Sequence, residues 1–412
     1  MLFLTSFSWT SVHIEDYMGG GSPVEKILTR MLPMLVIAIY CVTCEHRDLI
    51  KRMFRPGLFL LLWYIGFSVL CGFRGIQPAL CAWKGAEMII TLMYVSVSCR
   101  DADSTRKEFI AFLKLFEILM WATVVLAFIN PAKGFLHSPT ILPWLWGYFP
   151  ILNPNAIGFI SALCMARLLF FPAKYKPIRI MMITATLLCA QSRTAYAVSL
   201  VAMIIYIFDG MRTKQFGRVA VAFLGAALAL FMAMGWNEAI VKVLLRGESA
   251  EEVSTLSGRT DYWNYALNNA DWVGKGLATG SRSLIFGGEG TFHRGSVNMH
   301  NSFIEALMGG GYIGSIPFMV LFVVNVIRQG FNTLTKPSTH EGLFLICAIT
   351  FVARGMTSIV LALFSFDFIN MMFFWAWLYT RNMDPSNPPV VHERPKPRVF
   401  EKTIAEQRRE GN

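Results

Sequence analysis

Three side chains that could bind an anion stand beside apolar runs in this sequence, each near the beginning of a predicted helix. They are Arg193, which lies between Ser192 and Thr194, Arg259, and His300. Cationic side chains are costly to place near hydrocarbon, whereas free backbone N–H groups at helix N-termini favour anions. If the fold brings them to one membrane face, these residues predict a site for an anionic, lipid-borne substrate.

The elements that must position these residues are apolar helices. The chain has 412 residues, of which 55% are hydrophobic and 15% charged, a composition typical of a polytopic helical membrane protein. We therefore predict an all-α polytopic membrane protein with 11–12 transmembrane helices. The eleven apolar runs predicted as spans are 28–44, 57–73, 79–99, 108–130, 154–171, 178–192, 194–208, 218–236, 301–327, 342–363 and 365–380.

The net charge of +11 is explained by topology. Lysines and arginines cluster in every second predicted loop, which is the positive-inside pattern of cytoplasmic loops. The loops 131–153 and 237–300 and the turn at Arg193 then face outward. Nucleic acid is not needed as a partner.

On this topology, three spans begin at the outer face, and their N-termini carry Asn155, Arg193 and His300 with Asn301. The helix from Arg179 to Arg193 is about 21 Å long at ~1.5 Å per residue, against a hydrocarbon core about 30 Å thick. We therefore expect Arg193 to lie in a recess below the outer surface.

Each residue also has a structural explanation. Arg193 could anchor the topology by reaching outward, Arg259 could be a solvated loop residue, and His300 could cap a helix. Their predicted convergence on one face favours a functional site.

Other polar residues in the predicted spans have simpler explanations. Lys84 and Glu87 are spaced for an intrahelical ion pair, although Lys84 could add a phosphate contact. Arg354, near the middle of its predicted span, needs a partner such as Asp367, and we interpret this pair as structural. Glu117 has no evident partner in the sequence and could be protonated or line a cavity.

Besides the helices, the sequence has two longer segments, the outer loop 237–300 and the tail 382–412. Within the outer loop, the glycine-rich residues 271–298 predict an irregular segment, and Gly309 to Gly311 predict close packing or a bend. No Cys, His and carboxylate cluster has metal-ligand spacing, so we expect no metal or cofactor. The predicted regions are the N-terminal helices 1–236, the outer loop 237–300, the C-terminal helices 301–381 and a disordered cytoplasmic tail 382–412.

The sequence resembles the O-antigen ligase and polymerase superfamily of bacterial inner-membrane proteins, chiefly over residues 150–330. The resemblance rests on five motifs, namely Asn153-Pro154-Asn155, Ser192-Arg193-Thr194, Leu256-Ser257-Gly258-Arg259-Thr260-Asp261-Tyr262-Trp263, His300-Asn301-Ser302-Phe303-Ile304-Glu305 and Gly311-Tyr312-Ile313-Gly314.

The resemblance implies glycosyl transfer at the periplasmic face, on a helical fold similar to the GT-C class. A glycan on undecaprenyl diphosphate would move in one piece to an acceptor hydroxyl, without nucleotide sugar, metal or cofactor. The acceptor is a lipid A-core sugar in ligases and the end of another lipid-linked glycan in polymerases.

These residues suit that chemistry. Arg193 and Arg259 would stabilise the charge that grows on the departing diphosphate. His300 would either deprotonate the attacking hydroxyl or bind the diphosphate, and Glu305 is a reserve base. In-line attack would invert the anomeric configuration. Further diphosphate contacts are predicted from Ser192, Thr194 and Lys84, with support from Asn155 and Asn301.

Other functions make different predictions. The single large outer loop favours a ligase over a polymerase. A transporter or flippase of lipid-linked glycan would place cations along a path through the bilayer, whereas here they gather at one face. A purely structural scaffold leaves the recessed Arg193 unexplained.

Overall fold

The computed structural model describes residues 31–136, 142–212, 259–287, 299–335 and 339–383, and within these ranges the chain is almost entirely helical. The helices are α1 (Leu32–Met53), α2 (Pro56–Cys71), α3 (Pro78–Ser98), α4 (Ala102–Ile129), α5 (Pro131–Gly134), α6 (Pro154–Phe170), α7 (Lys176–Ala190), α8 (Arg193–Arg212), α9 (Arg259–Asn268), α10 (Gly280–Gly287), α11 (Ser302–Thr335), α12 (Thr339–Thr357) and α13 (Phe366–Met383).

The predicted fold class is confirmed. Each predicted span except 218–236, which lies outside the described residues, overlaps a helix, although residues 28–30 of the first span are also outside them and the span 342–363 extends beyond the end of α12 at Thr357. Within the described ranges, four segments are long and apolar enough to cross a membrane, namely Gly57–Arg74, Pro78–Ser98, Ala102–Ile129 and Ser302–Thr335. The chain is an all-α polytopic membrane protein. The predicted tail from residue 384 and the motif residues Leu256 to Gly258 also lie outside the described residues.

Local sequence sets several helix starts. Proline occupies the first position of α2, α3 and α6, where its missing N–H has no intrahelical partner to lose. Asp101 caps α4 by accepting a hydrogen bond from the Ser104 N–H at 2.8 Å. The Asn153 side chain accepts from the Ala156 N–H at 2.8 Å and so fixes the first turn of α6.

Helix α13 is enclosed by its neighbours, as expected of a helix that is apolar on every side. Trp377 packs against Phe109 of α4 and Phe344 of α12, with ring centroids 5.5 and 4.5 Å apart. Phe374 contacts Phe351 of α12 at 5.5 Å. This aromatic core holds α4, α12 and α13 together.

Helix α11 is broken at Gly311, whose φ of 63° and ψ of −169° are not helical. A β-carbon at this position would lie 2.4 Å from the Trp272 carbonyl oxygen, so the backbone geometry and the close approach both favour glycine. The predicted bend at these glycines is confirmed.

The segment before α10 is bound to this break through backbone hydrogen bonds. The N–H groups of Lys275 and Gly276 donate to the carbonyls of Met308 and Gly309 at 3.0 and 2.9 Å. In the other direction, the Tyr312 N–H donates to the Asp271 carbonyl at 3.1 Å. The prediction of an irregular segment was wrong for residues 280–287, which form α10, because their packing on α11 outweighs the helix-breaking tendency of the glycines.

Four two-residue strands interrupt the helical pattern between α5 and α6, and they form two small antiparallel pairs. In the first, β1 (Phe135–Leu136) pairs with β2 (Trp144–Leu145). In the second, β3 (Gly147–Tyr148) pairs with β4 (Ile151–Leu152). The Tyr148 hydroxyl donates to the Leu126 carbonyl of α4 at 2.9 Å, which holds this loop on the helices.

Candidate functional site

The turn between α7 and α8 presents Ser192 and Arg193. Gln191, in the left-handed conformation with φ 46°, ends α7, and its side-chain amide donates to the Leu142 carbonyl at 2.9 Å. A β-carbon at Gly158 would lie 2.6 Å from the Ser192 β-carbon, so glycine allows α6 to approach closely. The turn is therefore fixed against both α6 and the loop that contains Leu142, with Arg193 as the first residue of α8.

A small, partly open pocket lies beside this turn. Three of its lining residues, Asn155, Ser192 and Thr194, were predicted from the sequence to contribute to a site. The structure brings them together. The remaining lining residues are Phe159, Ala162, Ala195, Val198, Thr350, Arg354 and Thr357.

Arg354 also lines this pocket, a position that was not predicted from the sequence. The expectation that it lies near the middle of its helix was wrong, because α12 ends at Thr357 and places Arg354 in the last turn. Its predicted partner is confirmed, since Arg354 Nε lies 2.9 Å from Asp367 Oδ2. The polar spacing of Thr350, Arg354 and Thr357 along one helix face was the available signal for a cavity.

Asn301 caps α11, and Ser302 then links this helix to the turn after α12. The Asn301 side chain accepts from the Phe303 N–H at 2.9 Å. The Ser302 hydroxyl donates to the Ser358 carbonyl and accepts from the Leu361 N–H. Because Ser358 follows the pocket residue Thr357, the start of α11 and the pocket lie at the same end of the helix bundle.

His300 and Arg259 are close enough to interact electrostatically. Partial burial lowers the pKa of the His300 imidazole below its ordinary value, and the positive charge of Arg259 lowers that pKa further. The two segments are joined where the Trp263 indole N–H of α9 donates to the Met299 carbonyl at 2.8 Å. A lowered pKa leaves this imidazole neutral near pH 7 and able to accept a proton.

Glu305 is buried one turn into α11 and is already hydrogen-bonded. The Ser281 hydroxyl of α10 donates to its carboxylate, and the backbone of Met299 bonds to it as well. These contacts hold α10 and the residue before His300 against α11. The use of Glu305 as a reserve base stays a prediction.

Two further predictions concern buried ion pairs. Lys84 Nζ lies 2.7 Å from Glu87 Oε2, which confirms the intrahelical pair, whereas a diphosphate contact from Lys84 stays a prediction. The expectation that Glu117 lacks a partner was wrong. Arg167 and Arg179 both bind its carboxylate, with Arg167 Nη1 at 3.0 Å and Arg179 Nε at 2.6 Å from its oxygens.

The site therefore has two described parts at one end of the bundle. One is the hydroxyl-lined pocket with Arg354, and the other is the pair of Arg259 and His300. Whether Arg193 and Arg259 act on one ligand stays a prediction. Within the ranges that the structure describes, no three His, Cys, Asp or Glu side chains are grouped to hold a metal ion.

Residues 178–319 match the family model described as O-antigen ligase (Wzy_C). The matched stretch contains Arg193, Arg259 and His300, whereas Asn155 and Arg354 lie outside it. The resemblance inferred from the sequence motifs is confirmed by this match. A search of curated proteins found no match.

Proposed function

We propose that this protein is a membrane glycosyltransferase of the ligase type, and the match of residues 178–319 to the O-antigen ligase family model supports the proposal. It moves a glycan en bloc from undecaprenyl diphosphate to a hydroxyl of a lipid A-core sugar. The single observation that best supports the proposal is the hydrogen bond of 2.8 Å from the Trp263 indole N–H to the Met299 carbonyl, which holds the helix that begins at Arg259 against the residue before His300. This contact brings a segment that carries a cation beside a segment that carries a proton acceptor.

In the proposed reaction, the acceptor oxygen bonds to the anomeric carbon as the bond from that carbon to the diphosphate oxygen breaks. The acceptor proton passes to His300, and the electron pair of the breaking bond leaves with the diphosphate. In-line displacement inverts the anomeric configuration, which NMR of the product glycan would test.

Arg193 and Arg259 stabilise the charge that develops on the leaving diphosphate, a role in which fixed positive groups contribute most at the moment of bond cleavage. The hydroxyls of Ser192 and Thr194 and the amides at the start of α8 supply hydrogen bonds to phosphoryl oxygens. Guanidinium groups are suited to this because their parallel N–H donors fit two oxygens at once. The proposed reaction is metal-independent.

We place this protein in the bacterial inner membrane, with the site facing the periplasm and the C-terminus in the cytoplasm. The supporting observation is the alternation of basic loops along the chain, which follows the positive-inside pattern. The donor then reaches the pocket from the outer leaflet.

The decisive assay gives purified protein a lipid-linked glycan together with either rough lipopolysaccharide or free lipid-linked repeat units. Capped lipopolysaccharide is the expected product of a ligase, and a longer lipid-linked chain is the product of a polymerase, with which the family match is equally compatible. His300→Ala protein is the matched control. Movement of intact donor across proteoliposomes without a covalent product would contradict both and identify a transporter.

A further inference from the structure

Arg354 has a setting that an ion pair alone does not require. Its side chain is only about 5% exposed, yet it borders the pocket that Ser192 and Thr194 line. The guanidinium carbon also lies 5.3 Å from the centre of the Phe159 ring. Asp367 and Phe159 thus hold the guanidinium in one orientation at the pocket wall.

The donors of this guanidinium are only partly used. An arginine side chain has five N–H donors. Within the part of the chain that the structure describes, its one hydrogen bond runs from Nε to Asp367 Oδ2. The two terminal nitrogens therefore keep their donors in a pocket that also contains the hydroxyls of Thr350 and Thr357.

We propose that Arg354 is a third cationic ligand of the donor diphosphate, which its terminal nitrogens would bind where this pocket opens. The inference rests on the proposed function and deepens it, since it extends the diphosphate site beyond Arg193 and Arg259 to α12. Asp367 is a positioning residue, because it fixes Arg354 through Nε and leaves the terminal nitrogens for phosphoryl oxygens.

The charge balance of the pair fits this role. Before the donor arrives, Asp367 neutralises Arg354, which avoids an unpaired charge in a buried setting. When a diphosphate enters, its oxygens add to the acceptors around the same guanidinium without displacing the carboxylate.

The test compares a double variant, Arg354→Gln with Asp367→Asn, with the wild-type protein. The double substitution replaces the ion pair by two neutral amides, so it removes the cation without leaving a buried carboxylate unpaired. We expect the affinity for inorganic pyrophosphate to fall about 10- to 100-fold, as for the loss of charged hydrogen bonds. The KM for the lipid-linked donor should rise accordingly, while the thermal unfolding temperature stays near that of the wild type.

Arg167→Gln is the matched control, because Arg167 is an equally buried arginine paired with a carboxylate far from the pocket. It should keep the wild-type pyrophosphate affinity. Unchanged pyrophosphate affinity in a folded double variant would overturn the inference and leave the pair as purely structural.

If the double variant does not fold, Arg354→Lys takes its place, since it keeps the charge beside Asp367 but lacks the terminal fork. Weaker pyrophosphate binding supports the inference, and unchanged binding overturns it. Pyrophosphate binding is independent of turnover, so the two proposals can fail separately. If the wild-type protein binds pyrophosphate through Arg354 but transfers no glycan, the proposed function is contradicted and the inference about Arg354 stands.

Discussion

Two buried arginine–carboxylate clusters lie near opposite ends of helix α6, and their surroundings differ. Helix α6 connects them, with Asn155 in its first turn beside the pocket and Arg167 in its last turn. At the Arg167 end, two guanidinium groups surround the Glu117 carboxylate and occupy both of its oxygens. At the pocket end, Arg354 meets Asp367 through one nitrogen.

Burial of an arginine therefore does not by itself indicate a role in ligand binding. The Glu117 cluster ties α4, α6 and α7 together through contacts between their own side chains, which is a structural role. The Arg354 pair lies instead beside a small pocket whose mostly apolar lining includes Ser192 and Thr194, and the terminal nitrogens of Arg354 remain for a ligand. The surroundings of the pair distinguish the two roles.

The largest loss of turnover is expected from Arg193→Ala and Arg259→Ala, which change the proposed diphosphate site and leave the Glu117 cluster intact. Each should lower turnover by about 100- to 1,000-fold or more, the range for losing one group that stabilises transition-state charge. The amount of folded protein in the membrane should not change. Steady-state transfer assays with Western quantification would check this, and near-normal turnover in both variants would remove the proposed mechanism.

Glu117→Gln should have the opposite pattern: it should lower the stability of the protein and leave the KM for the lipid-linked donor nearly unchanged. Removing the carboxylate leaves Arg167 and Arg179 without their shared counter-charge, and breaking a buried pair in this way costs about 3–5 kcal/mol. Thermal unfolding in detergent would measure the loss, and the donor KM of the remaining folded protein should match the wild type. A raised donor KM with unchanged stability would contradict the structural role of the Glu117 cluster.

The smallest effect concerns pH. Since the pKa of His300 is lowered by partial burial and by Arg259, its neutral form predominates at pH 7. The value of kcat/KM should therefore be constant around neutral pH and fall as the pH drops through this lowered pKa, below the ordinary value of 6.5. His300→Gln should abolish this acid limb in any residual activity. An acid limb above pH 7 in the wild type would contradict the assignment.

Much of this architecture was predictable because it depends on local sequence. Apolar runs located the helices, and Asn301 and Asn153 act as caps at predicted starts. The partners of Glu117 were not predictable, since they come from positions 50 and 62 residues away in the chain. Contacts at such separations depend on how the helices pack.

The end of α12 was missed for a similar reason. The apolar run continues through Ile359, Val360 and Leu361, so the sequence favours a longer helix. In the structure, Ser302 bonds to the backbone of Ser358 and Leu361 and fixes a turn there. A contact from a distant helix thus determined where Arg354 lies, and with it the composition of the pocket.

The seam between residues 271–276 and the break in α11 is built from main-chain groups. The attachment of this segment therefore depends little on the side chains that it carries, and Trp272 is largely exposed there. The exposed residues of such a segment can change while its attachment stays intact. Gly274 and Gly276 are exceptions. A β-carbon at Gly274 would lie 2.2 Å from the Gly309 carbonyl oxygen, and one at Gly276, where φ is 104°, would lie 2.6 Å from the Gly72 α-carbon. Grafting this segment between related enzymes should succeed only when both glycines are kept.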